Sequence, residues 1–337
     1  MTHRIAVSGA AGQLGREIIK TLAEREFPAA SVTALASGRA VGGALSYGEQ
    51  DLRVEAVERH DWAATDLVFL APGTPAPATL ARKAAAAGCV VVDVTGAGDP
   101  DAPPVVPEVN SGVLGANPRI VASPVAGAIL LAMALHPLQA LGGLLRVVVT
   151  SLQPVSGAGR DAMDELFSQT RGIFVNDTPV PEQFTKPIAF NLIPHIGDFG
   201  GAGATEEEEA IAEETAQILG NVAVATTCVR VPVFIGQSLS VHAVFDRPLD
   251  EAEAREAIRD APGLTLLDRR DDGGYITPLE TVGEDPVFVS RLRVDPSVPN
   301  GIALWCAGDN LRKGGALNAV QIAEEMVRRG MLRGQAA

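Results

Sequence analysis

The stretch Arg4-Ile5-Ala6-Val7-Ser8-Gly9-Ala10-Ala11-Gly12-Gln13-Leu14-Gly15 decides how the first half of the chain is read. Arg4 to Ser8 is a short β-rich run. Leu14, Ile18, Ile19 and Leu22 then recur at helical spacing, so strand, glycine turn and helix follow in order. The glycines are spaced GxxGxxG rather than GxGxxG. They allow a tight turn and let backbone N–H groups approach a pyrophosphate at a helix N-terminus. That spacing alone also fits a plain strand–helix turn. Its place after the first strand and at the opening of a helix is what marks Gly9, Gly12, Gln13, Leu14 and Gly15 as candidate nucleotide contacts.

Working outward, Ser31 to Ala36, Asp66 to Ala71, Cys89 to Val94 and Arg119 to Ala122 read as buried strands, with Pro77 to Ala87 as a helix among them. Strands alternating with helices imply an α/β fold with a Rossmann-type, doubly wound parallel sheet. After about Ala126 the pattern changes. Arg146 to Leu152, Val222 to Val233, Val241 to Phe245, Val287 to Val294 and Ala303 to Trp305 read as strands of a second, α+β domain. Helices are expected over Thr205 to Gly220 and Asp250 to Ile258. In the first of these, Thr205 and Glu208 fit a capping box, and the acidic run Glu206 to Glu209 reads as a solvated helix start favoured by the dipole. Gly315 to Arg329 is a closing amphipathic helix. The expected division is 1–125 plus 313–337 for nucleotide binding and 126–312 for dimerisation and substrate.

Length and composition agree. At roughly 150 residues per domain, 337 residues make about two domains. Hydrophobic residues at 47% and charged residues at 20% exclude a disordered chain. Lys+Arg 27 against Asp+Glu 41 leaves a net charge of −14, which repels nucleic acid and anionic membranes. The longest apolar run, Val125 to Leu135, is too short for a membrane span of about 18 residues. Three scattered cysteines (Cys89, Cys228, Cys306) suit a reducing cytoplasm better than a disulfide framework. The end of the second strand bears on the nucleotide. An NAD site usually places an acid there for the ribose 2′-hydroxyl. Ser37-Gly38-Arg39 has none, and the Ser37 hydroxyl with the Arg39 guanidinium suits the 2′-phosphate of NADP, although Arg39 also reads as an ordinary surface arginine.

Further stretches share an order and spacing: Leu35-Ala36-Ser37, Val105-Val106-Pro107-Glu108-Val109-Asn110, Gln153 with Ser156-Gly157-Ala158-Gly159, Ala189-Phe190-Asn191, Cys228 to Val233, and Gly308-Asp309-Asn310-Leu311-Arg312-Lys313-Gly314. Together with the glycine turn they resemble the aspartate-semialdehyde dehydrogenase family from end to end. The resemblance implies an NADP-binding domain completed by the C-terminal helix, and a middle domain that forms a homodimer. It implies that Arg230 clamps a substrate carboxylate, with a structural ion pair as the competing role. It likewise implies that Gln153 lies on the substrate side and that Asn310 and Lys313 lie near the nicotinamide.

The same resemblance exposes three departures. Where the family carries a nucleophilic cysteine, Ser123-Pro124-Val125-Ala126-Gly127-Ala128 places Ala126, and a methyl group has no lone pair with which to attack. Where it carries a histidine, seven residues after Arg230, this chain has Gln237, which exchanges no proton near neutral pH. Where it binds phosphate with an arginine, Gly96 to Asp101 holds two acids. Retained binding motifs with lost chemistry resemble the Usg-type paralogues of the family. The expectation is an NADP-binding homologue without efficient thiol chemistry, homodimeric or pairing with an active paralogue. The alternative is an NADPH-dependent reductase that transfers hydride directly to a small carboxylate-bearing carbonyl or imine. His195 and His242 are the better-placed histidines for any substitute base.

Overall fold

The computed structural model describes residues 2–177 and 179–332. It divides into two compact units, 1–124 with 315–337 and 125–314. The division falls one residue before the expected boundary at the first crossing and two after it at the second, so Val125, Lys313 and Gly314 go with the second unit. Residues 1 and 333–337 of the expected nucleotide-binding domain lie outside the described residues.

The first unit opens with β1 (His3–Ser8), α1 (Gln13–Glu24), β2 (Ala29–Ala36), β3 (Ala44–Tyr47), β4 (Gln50–Ala56), β5 (Leu67–Leu70), α2 (Pro77–Ala86), β6 (Val90–Asp93), the single turn α3 (Pro107–Asn110) and β7 (Ile120–Ala122). The seven strands form one sheet in the order β3-β4-β2-β1-β5-β6-β7. All pairings are parallel except the β3–β4 hairpin at the edge. Both faces are covered, which is why β5 (LVFL) and β6 (VVVD) are buried at every residue instead of alternating. Leu67 and Phe69 pack with Ile18 and Leu22 of α1, while Val68 and Leu70 pack with Ala81 and Ala84 of α2 on the other face. The closing helix, Leu317–Arg328, belongs to this unit; its Val320, Ile322 and Met326 join the α1 side of the core.

The second unit holds α4 (Ala126–Gly142), β8 (Leu144–Gln153), α5 (Arg160–Phe174), α6 (Glu206–Leu219), β9 (Ala223–Arg230), β10 (Gln237–Phe245), α7 (Glu251–Asp260), β11 (Leu264–Leu266), β12 (Val287–Asp295) and β13 (Gly301–Gly308). Its six strands run β11-β12-β13-β10-β8-β9, antiparallel through the centre and parallel at both edge pairs. The expected α/β plus α+β architecture is therefore observed. The differences are local. The apolar run at 125–135 is the front of α4, which is buried almost all round and so carries no amphipathic period to read. Helix α5 and the β3–β4 hairpin were not expected either. Strand β10 begins at Gln237, four residues before the expected start, because Gln237 and Ser238 already pair with β13. Among the described residues no helix is long and apolar enough to cross a membrane.

The glycine turn explains its own composition. Gly9 has φ +76°, and a Cβ there would lie 2.6 Å from the Ala71 carbonyl oxygen. A Cβ on Gly15 would lie 2.3 Å from the Gly9 oxygen, so the first turn of α1 packs directly on the loop. Gly15→Ala is expected to destabilise the protein by about 1–3 kcal/mol through overpacking. Gly115→Ala, where nothing lies within 4 Å, should stay within about 0.5 kcal/mol. Urea denaturation of the two variants checks this contrast.

Candidate functional site

The first unit contributes a phosphate cradle. The turn between β1 and α1 lies at the carboxyl ends of parallel strands, with Ala10 N donating to Leu35 O of β2 and Ala71 N to Ser8 O of β1. This is the point where the strand order switches direction. Gly12 caps α1 with no side-chain cap hydrogen bond, so the opening turn of the helix has no capping side chain. Ser37 and Arg39 follow immediately on β2 in a short 3₁₀ turn, with Ser37 half-buried and Arg39 exposed. No acid stands at that strand end. These residues fit a dinucleotide. In the expected phosphate-binding stretch, Asp99 instead accepts from Arg82 at 3.0 Å.

The second unit holds the remaining candidates, several of them in hydrogen-bonded groups. Ala126 is the first residue of α4, and Gln237 the first of β10. A Cβ on Gly314 would lie 2.8 Å from the Ala126 Cβ, and one on Gly127 would lie 3.1 Å from Gln237 Nε2. Positions 126, 237 and 314 are thus brought together. Gln237 Nε2 donates to Ser151 Oγ at 2.9 Å. Gln153 Nε2 donates to the same hydroxyl at 3.3 Å and to Glu207 Oε1 at 2.8 Å. Asn310 is braced on both sides, accepting from Gly236 N at 3.1 Å and donating to Ser156 Oγ at 3.0 Å. Lys313 is 1% exposed. Asn310 and Lys313 belong to this unit, whereas the glycine turn, Ser37 and Arg39 belong to the first.

Arg230 ends β9 and is 7% exposed. Its Nη1 donates to the Pro154 carbonyl at 2.6 Å. No carboxylate among the described residues lies within ion-pair distance of it, although Glu207 is near enough to act on it electrostatically. Burial pulls its pKa down, and the nearby Glu207 partly restores it. A buried guanidinium without a carboxylate is costly unless an anion arrives.

None of the three thiols substitutes for a nucleophile at 126. Burial pushes Cys228 and Cys306 far above the usual thiol range, with Glu207 and Glu208 adding to the effect at Cys228. Cys89 is buried in the first unit with Sγ against the Trp62 carbonyl. Of the histidines, His242 lies on β10 five residues beyond Gln237, about 17 Å along the strand, and is paired with Asp295 at 2.9 Å. The His195 ring stacks on Phe199 at 4.4 Å, with its Nε2 buried and without a hydrogen-bond partner.

The tertiary contacts of three acids escaped the sequence reading. The run Glu206 to Glu209 is more than a solvated helix start: the capping box forms, but Glu207 holds Gln153 and Glu208 accepts from Cys228 N at 2.9 Å. Seven residues on, Glu214 Oε2 accepts from Val125 N at 2.8 Å, immediately before Ala126. Glu207, Ile211, Glu214 and Ile218 form one helical stripe, a spacing visible in the sequence had the two buried isoleucines been used to orient it.

Residues 4–116 match the family model described as semialdehyde dehydrogenase, NAD binding domain, and residues 135–313 match semialdehyde dehydrogenase, dimerisation domain. The chain belongs to the semialdehyde dehydrogenase family. It is 42% identical to an aspartate-semialdehyde dehydrogenase of Rickettsia bellii, covering 97% of this chain and 98% of that protein. It is 39% identical to a USG-1 protein homolog of Azotobacter vinelandii, covering 97% and 98%. It superposes with a TM-score of 0.91 on aspartate semialdehyde dehydrogenase II of Vibrio cholerae complexed with ASA, at 37% identity, covering 97% and 99%.

Burial raises the Glu214 carboxyl to about 7, against the hydrogen bond from Val125 N and with added repulsion from Glu207 and Glu213. Because the folded value lies above the unfolded 4.5, the folded state is unpenalised below pH 4.5. It loses stability as pH rises to about 7, by about 3 kcal/mol in all. Glu214→Gln keeps an acceptor for Val125 N and removes the titration. Relative to that variant, the wild type should lose about 2–3 kcal/mol between pH 5 and pH 8 in urea denaturation.

Proposed function

We propose that this protein binds NADP(H) and a small carboxylate ligand while lacking efficient thiol-based dehydrogenase chemistry. The observation that carries the reading is the contrast between Arg230, a buried guanidinium with no ion-paired carboxylate among the described residues, and Ala126, which offers no nucleophile. Bound at the glycine turn, with Gly9, Gly12, Gln13, Leu14 and Gly15 around its phosphates and Ser37 and Arg39 at the ribose, the nicotinamide nucleotide would supply hydride. Arg230 would hold the ligand carboxylate in a bidentate fork. Gln153 would orient the ligand while tied to Ser151 and Glu207, and Gln237 would offer a hydrogen bond without moving a proton. Asn310 and Lys313 are assigned to the nicotinamide side. The dimerisation-domain match supports a homodimer, and pairing with an active paralogue is the form in which a non-catalytic copy would act as a regulator. Three free thiols suit a cytoplasmic setting.

Deleting a covalent nucleophile and its base costs roughly a million-fold in turnover in a serine protease. An assay with aspartate semialdehyde, phosphate and NADP is therefore expected to show no turnover above background. Turnover within about tenfold of an ordinary relative would reject the reading. A second reading, direct hydride transfer to a carboxylate-bearing carbonyl or imine, is favoured by the open guanidinium, which could anchor such a substrate without a thiol. NADPH oxidation with a member of a keto-acid panel would establish it. Arg39→Ala should weaken NADP binding by about tenfold or more, as loss of a charge-assisted contact does, and leave NAD binding nearly unchanged in fluorescence titrations.

A further inference from the structure

We propose that the cleft between the turn 269–275 and β12, towards the β11 edge of the second unit's sheet, is a binding site for a small hydroxyl-bearing phosphate monoester. It is separate from the site at Arg230: β9 and β12 lie four strands apart, about 19 Å across the sheet. The cleft has a volume of about 420 Å³, within the range of small-molecule pockets. The guanidinium groups of Arg269, Arg270, Arg291 and Arg293 line it. That concentrates positive charge on a chain whose net charge is −14.

The surrounding bonds show which of these charges are already answered. Arg270 pairs with Glu251. Asp268 is spent elsewhere: its Oδ1 accepts from Arg291 N at 2.7 Å, and its Oδ2 accepts from Leu292 N at 3.1 Å and from Arg255 Nη2. Arg269 reaches Asp271 only at 3.7 Å. The Arg291 and Arg293 side chains have no carboxylate within ion-pair distance among the described residues. Arg293 Nη1 instead donates to the Arg291 carbonyl at 2.8 Å.

Their placement is enforced by the backbone. The β12–β13 register shifts between Ser290 and Arg293, a bulge that adds one residue to β12, and Arg291 has φ +57°. A non-glycine residue persists in that region only where its surroundings fix it, and here both Asp268 oxygens hold the bulge. Across the cleft, Ile276 N donates to Ser290 Oγ at 3.0 Å and its carbonyl accepts from Trp305 Nε1 at 3.1 Å, which anchors the neighbouring Tyr275. Its phenol is a further donor at the cleft. Two adjacent guanidiniums are balanced by more than one negative charge. A carboxylate brings one, whereas a phosphate monoester brings nearly two at neutral pH and three acceptor oxygens. Asp271 and Asp272 also line the cleft; they repel a bare anion and accept hydrogen bonds. They favour a ligand whose hydroxyls meet them while its phosphate meets the arginines.

Isothermal titration calorimetry of the full chain with glycerol 3-phosphate tests this, at low ionic strength and above the second phosphate pKa of about 6. Saturable binding to wild type is expected. Arg291→Asn/Arg293→Gln should weaken it by about tenfold or more through loss of two charge-assisted contacts. Asparagine tolerates the positive φ at 291, so the urea midpoint of this variant should match wild type. Arg293→Gln alone, which leaves the bulge untouched, should weaken binding in the same direction. Arg230→Gln should bind glycerol 3-phosphate as wild type does. Inorganic phosphate and succinate should bind more weakly than glycerol 3-phosphate. No saturable binding to wild type, or binding that both arginine variants retain, overturns the proposal. Binding lost in Arg230→Gln places the phosphate at the other site and overturns it equally. Succinate binding as tightly as glycerol 3-phosphate overturns the phosphate class, and inorganic phosphate doing so overturns the role given to the hydroxyls.

Discussion

A guanidinium buried to 7% exposure, with Glu207 near it but no ion-paired carboxylate among the described residues, is the central electrostatic constraint of the second unit. Removing a charge from water costs several kcal/mol unless something repays it. Here the repayment from the protein is small, a single carbonyl from Pro154 and the field of Glu207. The fold tolerates this because Arg230 closes a strand whose neighbours are fully paired. Val231 N donates to Gln153 O, and Arg230 exchanges both backbone bonds with Ile193. These bonds fix the backbone at the strand end.

Around that cation the polar side chains are amides and hydroxyls where an enzyme of this family would be expected to hold a thiol and an imidazole. Gln237 and Gln153 both donate to Ser151 Oγ, and Asn310 links Gly236 to Ser156. Such a network orients groups well and transfers protons poorly, because neither amide titrates in the neutral range. Glu214, a mid-range acid, bonds Val125 N at the start of α4 and does not join the network.

Much of this was legible in the sequence, for definite reasons. The glycine turn was readable because Gly9 and Gly15 are forced by contacts under 3 Å that no other residue accommodates. Parallel strands were readable because burial on both faces leaves unbroken apolar runs. Helix α4 was not, since a helix buried all round has no period, and its membership had to come from the packing of β8, β10, β12 and β13 beneath it. Arg230 could be located by its motif, but whether it was already paired depends on residues far away in the chain. Glu207 and Glu214 were hidden differently. Four acids at a helix start have a sufficient local explanation in the dipole, and only tertiary contacts show that Glu207, Glu208 and Glu214 of this helix bond to other elements.

Position 126 is also closely constrained by its packing. The Ala126 Cβ stands 2.8 Å from where a side chain at 314 would begin, so Gly314 must remain glycine whether the chain carries a methyl or a sulfur at 126. Restoring a sulfur alone would leave it beside Gln237, whose amide is committed to Ser151 and cannot accept its proton. It would also stand close to the Glu214 carboxylate, whose negative charge opposes a thiolate. A nucleophile here would need a base and a field of the right sign as well as an atom, and the Gln237 amide is no base. An anion held on Arg230 would need neither.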